Sequence, residues 1–491
     1  MASRAMKKAP ERETRPRRGS APKPRAAFLR RAASGPRLEH RRRVLLLYAP
    51  SSQPPRNYAY GLGLIAAVLT RAGHRVDFVD GYFTTPRELD QRLRAATYDV
   101  IGLSGVITTY AWQRAAARAA RRAQPGAAIV SGGGLASAVP VELLELIPEL
   151  DACFVGEGER SAAEFLERRD GDWSAVKGIV WRDGPHLRTN LPAEFIQDLD
   201  GLPDPDTTLL AIERYFFDPP SQDGAGHAVE RRLQTQLARG CPFQCDFCAN
   251  SFLRKQVRRR SDEHVLAEIG RAVEHFGVNT VLFVDDSFIL RHDDTLRFVT
   301  ELGRRRWDLK WGVAARVRGV SPELLAAMRS AGCRGIAFGF DSFHPETLRR
   351  MGKHTSPEDN IRAFQLCVEA GIPPISNLII GYDNETEEHL EEDFRQLERL
   401  IAWGRSLASP EQRRLCAQGV RSFRPINFAT PYPGTALYQR NRHRLPSLEE
   451  WLLLFSGRNM NELLVNISQL PDEVLVEHHR RLLDLVSRCT L

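Results

Sequence analysis

From Val44 onward, short apolar runs alternate with stretches of helical periodicity, the pattern of a parallel sheet covered by helices. Five runs in the first part read as strands: Val44–Tyr48, Arg75–Val79, Val100–Ser104, Ala128–Ser131 and Ala152–Val155. Each lies close to Gly, Pro or Asp turn signals, and Ala-rich helical stretches separate most of them. A doubly wound sheet of this kind binds ligands beyond the carboxyl ends of its strands. Small residues collect there: Ser104 and Gly105, then Gly132, Gly133 and Gly134, then Gly156-Glu157-Gly158-Glu159. Any one of these glycines could simply make a tight turn. Three successive strand ends so equipped suit a backbone that a bulky ligand approaches closely.

The pattern then breaks. Residues 178–230 read as a bridge, with a hairpin around Asp183-Gly184 and a Pro-rich linker at Asp198–Pro205. A second array follows, with strands expected at Leu233–Ala238, Thr280–Asp285, Lys310–Ala315, Gly335–Phe340, Ile375–Gly381 and Ser422–Phe428. Helical segments between them give six βα units, an open, partial (β/α)6 barrel of TIM type. One of its helices is plain in the sequence. Ser261 caps it, Asp262 and Glu263 suit its first turn, and Val265, Ile269, Val273 and Phe276 form one apolar stripe before Gly277. After the turn Pro431-Tyr-Pro-Gly434, residues 446–491 read as two amphipathic helices. The fold class is therefore α/β, with a Rossmann-like domain at 43–177, a linker at 178–230, a barrel at 231–440 and a C-terminal helical segment at 441–491.

Composition changes the picture in one respect. The 491 residues, 42% hydrophobic and 26% charged, are ordinary for a soluble globular protein with room for about three domains. No run of 18 or more apolar residues offers a membrane span. The net charge of +8 resembles a nucleic-acid signature, yet residues 1–43 carry 15 Lys or Arg against 3 Glu and alone account for +12. The remainder is mildly acidic, at −4, which makes nucleic acid an unlikely partner for the body. Residues 1–42 read as a disordered basic tail, rich in Pro and charge and poor in apolar anchors. It lacks the apolar core of a secretory signal, and Glu11, Glu13 and its prolines argue against a transit helix, so a cytoplasmic protein is expected.

Eight cysteines in this length are too sparse for a disulfide scaffold, but three cluster in Arg239-Gly-Cys-Pro-Phe-Gln-Cys-Asp-Phe-Cys248. Cys241, Cys245 and Cys248 occupy a C-x₃-C-x₂-C loop directly after the first barrel strand. Soft thiolates at this spacing favour zinc or an iron–sulfur cluster, and no Cys or His nearby completes a tetrahedral zinc site. A zinc knuckle would have to borrow a distant ligand such as Cys333 or His227. Cys153, Cys333, Cys367, Cys416 and Cys489 are scattered and suit core packing. His74, His264, His292 and His354 stand apart from any ligand set.

This loop, on this strand of a six-unit array, resembles the radical S-adenosylmethionine (SAM) superfamily. The resemblance implies a 4Fe-4S cluster on the three cysteines, with the fourth iron binding the amino and carboxylate groups of SAM. An electron from the reduced cluster then cleaves SAM to a 5′-deoxyadenosyl radical. It also implies SAM contacts, position by position. Phe247 matches an aromatic near the adenine. Asp285 and Asp286 stand where many relatives have Gly-Gly-Glu. Arg316, after the third strand, suits the methionine carboxylate. Gly339 and Ser342 match Gly-x-Glu-Ser, with Asp341 replacing Glu. Ile380 and Gly381, followed by Glu385, match the strand and turn that flank the adenine.

The preceding doubly wound domain is similar to that of the cobalamin-binding subgroup, a likeness spanning roughly residues 43–440. It implies that Ser104, Gly105, Gly132 and Gly133 cradle the nucleotide tail of cobalamin and that Gly156 and Glu157 form the acidic Gly turn. Residues 50–60 contain no His, so the Asp-x-His-x-x-Gly lower-ligand motif is absent, and Arg56 or Tyr58 could lie beneath the cobalt in its place, as could Asn57 or Tyr60. The two cofactors together imply a methyltransferase acting on an unactivated carbon or a phosphorus centre of a small-molecule or natural-product substrate, with an external reductant of flavodoxin or ferredoxin type. A radical cyclisation or rearrangement is the alternative. An iron–sulfur electron carrier or scaffold is the reading from a different class.

Overall fold

A computed structural model describes residues 41–50, 57–168, 172–217, 229–250 and 256–490. The expected tail up to His40 lies outside them, as does Arg56. Two parallel sheets organise the described chain. In the first, β1 (Arg43–Tyr48), β2 (Arg75–Asp80), β3 (Val100–Ser104), β4 (Ala128–Gly132) and β5 (Ala152–Phe154) run in the order 2-1-3-4-5. β1 pairs with both β2 and β3, so the strand order reverses there, and the crevice over the strands' carboxyl ends opens at that point. Leu45, Leu47, Ile101, Leu103 and Ile129 are buried on one face, while Val44, Leu46, Val100 and Val130 are buried on the other. Burial on both faces explains the continuous apolar runs of these strands.

The hairpin at Asp183-Gly184 forms as β6 (Ile179–Asp183) and β7 (His186–Thr189). It is not a free linker: β6 pairs antiparallel with β5 and extends the first sheet to seven strands. The domain boundary expected at residue 177 therefore falls inside a sheet. The physical reason is that Ile179 and Val180 are as buried as the parallel strands and cover the edge of β5.

The second sheet has six strands, all parallel, and their order across the sheet follows their order along the chain. Its strands are β8 (Arg232–Thr235), β11 (Thr280–Phe283), β12 (Lys310–Ala315), β13 (Cys333–Asp341), β14 (Pro374–Ile380) and β15 (Asn427–Phe428). Among the described residues β8 and β15 do not pair with each other, so the barrel stays open. Three strands are shorter than expected, and β11 ends at Phe283, two residues early. The first stops at Thr235, and the chain starts again as β9 (Ala238–Arg239), which pairs antiparallel with β10 (Arg258–Arg259). This two-strand ribbon fixes both ends of the thiol loop. The sixth is only Asn427–Phe428, because the helix Pro410–Arg421 runs up to Ser422, whose N–H closes its last turn, and Pro425 has no N–H to give a ladder. The helix Asp262–Phe276 forms with Ser261 as its cap and Gly277 in the left-handed conformation at its end, φ 61°. The C-terminal segment supplies the helices Leu448–Phe455 and Asp472–Ser487.

Charge joins the two sheets. Glu159, on the turn after β5, pairs with Arg239 at 2.7 Å, and Glu157 pairs with Arg258 at 2.8 Å and with Arg239 at 3.4 Å. Their side chains are nearly all buried. Tyr58 adds a neutral tie, its hydroxyl accepting from the N–H and donating to the carbonyl of Gln234 on β8. Arg239→Met should destabilise the protein by about 3–5 kcal/mol, because it leaves the Glu159 carboxylate buried without its cation. Adding Glu159→Gln should recover a large part of that loss, measured as midpoints of anaerobic urea unfolding.

Candidate active site

Alternation along the barrel strands sorts residues by face. On β13, Ile336, Phe338 and Phe340 are fully buried against helices, while Ala337 and Gly339 on the other face are only half-buried. On β12 the same parity leaves Gly312 half-buried and Ala314 exposed in the middle of a sheet. The lumen is therefore lined by small residues and has room for a ligand. On β14 the lumen parity belongs to Asn377 and Ile379; Ile380, expected beside the adenine, points the other way into the core. A period of two makes this one-residue difference a change of face.

The thiol loop hangs over this lumen. Cys245 is buried, and Cys241 and Cys248 are half-buried. Burial raises the pKa of Cys241, and burial with the charges of Cys245, Cys241 and Asp286 pushes Cys248 up to about 11. Three thiols in one short loop offer soft donors that suit iron–sulfur chemistry. Among the described residues, no group of His, Cys, Asp and Glu is gathered around a single metal-ion position. The loop is pinned from below by Asp246, which receives Tyr382 and Arg440 (the latter at 2.6 Å) and whose carbonyl accepts from Leu437. Arg440 also reaches Asp383, tying the loop to the end of β14.

The expected SAM residues divide into two groups. Arg316 faces the loop. Its guanidinium stacks on Phe243 at 3.7 Å, donates to Cys245 Sγ at 3.4 Å and donates to the carbonyl of Lys353. Gly339 lies beside it, its carbonyl accepting from Lys353 Nζ at 2.7 Å. Phe247 lines the neighbouring cavity. The others are committed elsewhere. Asp285 is buried and accepts from the N–H groups of Leu237 and Ala238; burial pushes its pKa up to about 7. Asp286 accepts from Gly240 N–H and Asn250. Both carboxylates shape the loop's entry. Ser342 is fully buried and donates to Asp393 at 3.2 Å. Gly381 has φ 80°, and a Cβ there would lie 2.9 Å from the end of the Leu475 side chain.

Sequence reasoning missed Lys353 and Asn377. Lys353 is buried and pairs with Asp341 at 2.5 Å, while Asn377 donates to the same carboxylate at 2.9 Å. These contacts hold Asp341 at φ 65°, a left-handed conformation that costs a side-chain-bearing residue about 1–2 kcal/mol. Asp341 departed from the Glu of the motif, and a buried cation 12 positions later was its unread complement.

The expected cobalamin residues surround a cavity of about 510 Å³ that runs from the strand ends into the space between the first sheet and the helices Tyr60–Arg71 and Gly158–Glu167. Ser104, Gly132, Gly133, Gly156, Glu157 and the Tyr58 ring all line it. Its deep walls are apolar, among them Val44, Leu46, Leu62 and Phe165. A Cβ on Gly156, at φ 83°, would meet nothing within 4 Å, so the turn leaves open space. This is a fit for a long ligand with an apolar tail. Gly105 lies off the cavity; a Cβ there would strike Thr109 and Gln113, so its smallness serves packing. The Glu157 carboxylate is taken by Arg258, Arg239 and the N–H of Ile196. Tyr60, Gln236 and Arg239 reach the same cavity from the helix start and the barrel.

A second cavity, of about 640 Å³, opens on Phe247 and Cys248 and shares Val106 with the first. Gly381→Ala should destabilise the protein by about 1–3 kcal/mol through its left-handed backbone and the clash with Leu475. The pair Gly381→Ala with Leu475→Ala should show non-additive losses, since the second change removes the clash; thermal unfolding of the four variants in the cycle measures it.

Comparison with known proteins matches this geometry. The profile of the Radical SAM superfamily matches residues 235–397, and that of the B12 binding domain matches residues 54–166. An uncharacterized methyltransferase of Pyrococcus horikoshii is 25% identical over 391 residues, covering 79% of this chain and 78% of the relative. An anaerobic magnesium-protoporphyrin IX monomethyl ester cyclase of Cereibacter sphaeroides is 27% identical over 438 residues, covering 87% and 67%. The fold is shared with the radical SAM methyltransferase TsrM of Kitasatospora setae, solved with cobalamin and a [4Fe-4S] cluster, at a TM-score of 0.61 and 20% identity over 73% of this chain and 70% of that one. No helix among the described residues is long and apolar enough to cross a membrane. With a thiol loop over an open six-stranded barrel and a B12 binding domain ahead of it, the chain belongs to the cobalamin-binding branch of the radical SAM superfamily.

Proposed function

We propose that the protein is a cobalamin-dependent radical SAM methyltransferase acting on an unactivated carbon, or a phosphorus centre, of a small-molecule or natural-product substrate. The observation that carries this reading is the junction at Val106 of the two cavities, one beneath the glycine turns and one on the thiol loop. When bound, the 4Fe-4S cluster with SAM supplies one-electron hydrogen abstraction, and cobalamin supplies a transferable methyl group.

The residues' own work follows from their placement. Cys241, Cys245 and Cys248 hold the cluster. Arg316, fixed by Phe243 and the Lys353 carbonyl, offers a cation at the lumen for the SAM carboxylate, and Phe247 offers a ring face for the adenine. Ser104, Gly132, Gly133 and Gly156 would admit the cobalamin tail, and the apolar depth lined by Val44, Leu46 and Phe165 would receive its apolar end. The apolar walls keep water from the reacting atoms. An external one-electron reductant, of flavodoxin or ferredoxin type, completes the cycle.

A second reading has a specific support: the Cereibacter relative, spanning 87% of this chain, is named a cyclase. The cluster and SAM would then serve a cyclisation or rearrangement without methyl transfer, with cobalamin as a redox partner or not bound at all.

Anaerobic purification with cobalamin supplied should yield four irons and one cobalt per chain. Incubation with SAM and reductant should release 5′-deoxyadenosine. Cys245→Ala should lose iron and keep cobalt. Gly132→Val should do the reverse, because a Cβ at Gly132 meets only Phe154, at 3.8 Å, and a branched side chain would enter the cavity; its cobalamin affinity should fall at least about ten-fold. Four irons without cobalt would favour the cyclisation reading, and neither metal would refute both.

A further inference from the structure

We infer that the 640 Å³ cavity is the substrate site and that it takes a neutral, hydrocarbon-rich molecule rather than a charged one. The inference rests on the methyltransferase reading and names its substrate class.

Three elements of different origin build the cavity. The first domain contributes Val106 and Leu135. The thiol loop contributes Phe247 and Cys248. The end of the barrel and the segment after the helix Leu448–Phe455 contribute Phe428 and Met460. That last segment is held across both domains: Gly457 N–H donates to Thr108 carbonyl, and the Met460 carbonyl accepts from Phe428 N–H. Its position is fixed by backbone hydrogen bonds, so it forms a permanent wall.

Chemistry selects the occupant. Among the described residues lining the cavity there is no Asp, Glu, Lys or His, and the one full charge, Arg458, already pairs with Glu462 at 3.5 Å at the exposed rim. The remaining polar side chains of the lining, among them Thr108, Asn427 and Tyr432, are neutral, and three others are engaged within the protein, Tyr382 by Asp246. Asn377 donates to Asp341 and accepts from Phe340 N–H, and Thr430 donates to the Phe428 carbonyl. A carboxylate or phosphate entering here would lose its hydration and find neutral donors but no unpaired cation in return. Meanwhile Val106 is 52% exposed and Met460 is 42% exposed, and both of these large apolar side chains line this space. Covering them with a ligand's carbon surface is favourable, and concave apolar surface of this kind is where small molecules bind. The position agrees with the chemistry: one end touches the thiol loop and the other touches the cobalamin cavity at Val106, so a molecule here reaches both.

The test uses two matched probes on the holoenzyme, loaded with cluster and cobalamin and with S-adenosylhomocysteine present: 2-naphthol and 2-naphthoate, similar in shape and different in charge at pH 7. Equilibrium dialysis should show saturable uptake of 2-naphthol at least about ten-fold tighter than 2-naphthoate. Met460→Asp should abolish that preference, Met460→Leu should retain it, and Val476→Asp, on an exposed helix face elsewhere, should leave it unchanged. Equal affinities, preference for 2-naphthoate, or no uptake by a holoenzyme with full iron and cobalt would overturn the inference while leaving the methyltransferase reading intact. So would a Met460→Asp protein that carries both metals and still prefers 2-naphthol. Absence of cobalt would instead strike the methyltransferase reading.

Discussion

Glu157 and Glu159 leave the last parallel strand of the first sheet, Arg239 and Arg258 flank the thiol loop, and all four side chains meet in a space almost closed to water. Burying four charges is expensive, and an apolar cluster of equal volume would hold the domains together about as well. What charge adds is registration. The glutamates sit on the same turn as Gly156 and Gly158, and the arginines sit on the ribbon that closes the thiol loop, so one set of bonds fixes the mouth of one cofactor cavity against the other. A sliding apolar contact would tolerate displacements that a guanidinium bridging two buried carboxylates, as Arg239 bridges Glu157 and Glu159, does not. Every later distance in the site, including the meeting of two cavities at Val106, follows from this fixed relation.

The barrel resolves a second conflict, between an empty lumen and a stable sheet. β12 and β13 present Gly312, Ala314, Ala337 and Gly339 inward, residues that contribute little packing. The outer face compensates. Phe338, Phe340, Phe343, Phe364 and Phe423 form a stacked aromatic layer beneath β13, and Trp311 joins Phe283, Phe288 and Phe298 beneath β12. Stability is thus drawn from the helix side of each strand, which leaves the lumen side free to be shaped for a ligand.

The same division explains how much could be read from the sequence. The six barrel strands and the first five strands announce themselves through buried runs, because burial on the helix side is strong and local. The thiol loop is legible because its chemistry is confined to eight consecutive positions. Ile380 in place of Ile379 shows the limit: strand existence is written in the composition, but face depends on register, and a single residue inverts it. Asp285, Ser342 and Glu157 show another. Their types fit ligand contacts, yet each carboxylate or hydroxyl is claimed by a backbone or side-chain partner far away in sequence, and such claims become visible only when the chain is folded. Lys353 was silent for the converse reason, since its partner Asp341 looked like a simple replacement within a motif. The edge hairpin was seen but misplaced, because nothing local says which sheet a hairpin joins.

The cations at the lumen share one property that bears on recognition. Lys353 is held by Asp341 and the Gly339 carbonyl, and Arg316 by an aromatic face, a carbonyl and a thiol. Neither long side chain is free to search. A flexible lysine or arginine gives up rotamer entropy when a ligand carboxylate arrives, of order 0.5–1.5 kcal/mol for each side chain immobilised. Here that ordering is completed by folding, and the left-handed Asp341 is part of its cost. Folding thus fixes both cations before any ligand arrives, Lys353 being already neutralised by Asp341, while the cavity on Phe247 and Cys248 has Arg458, at its rim, as its one charged side chain. Which strand face each residue occupies therefore separates the cations of the lumen from the largely apolar cavity beside it.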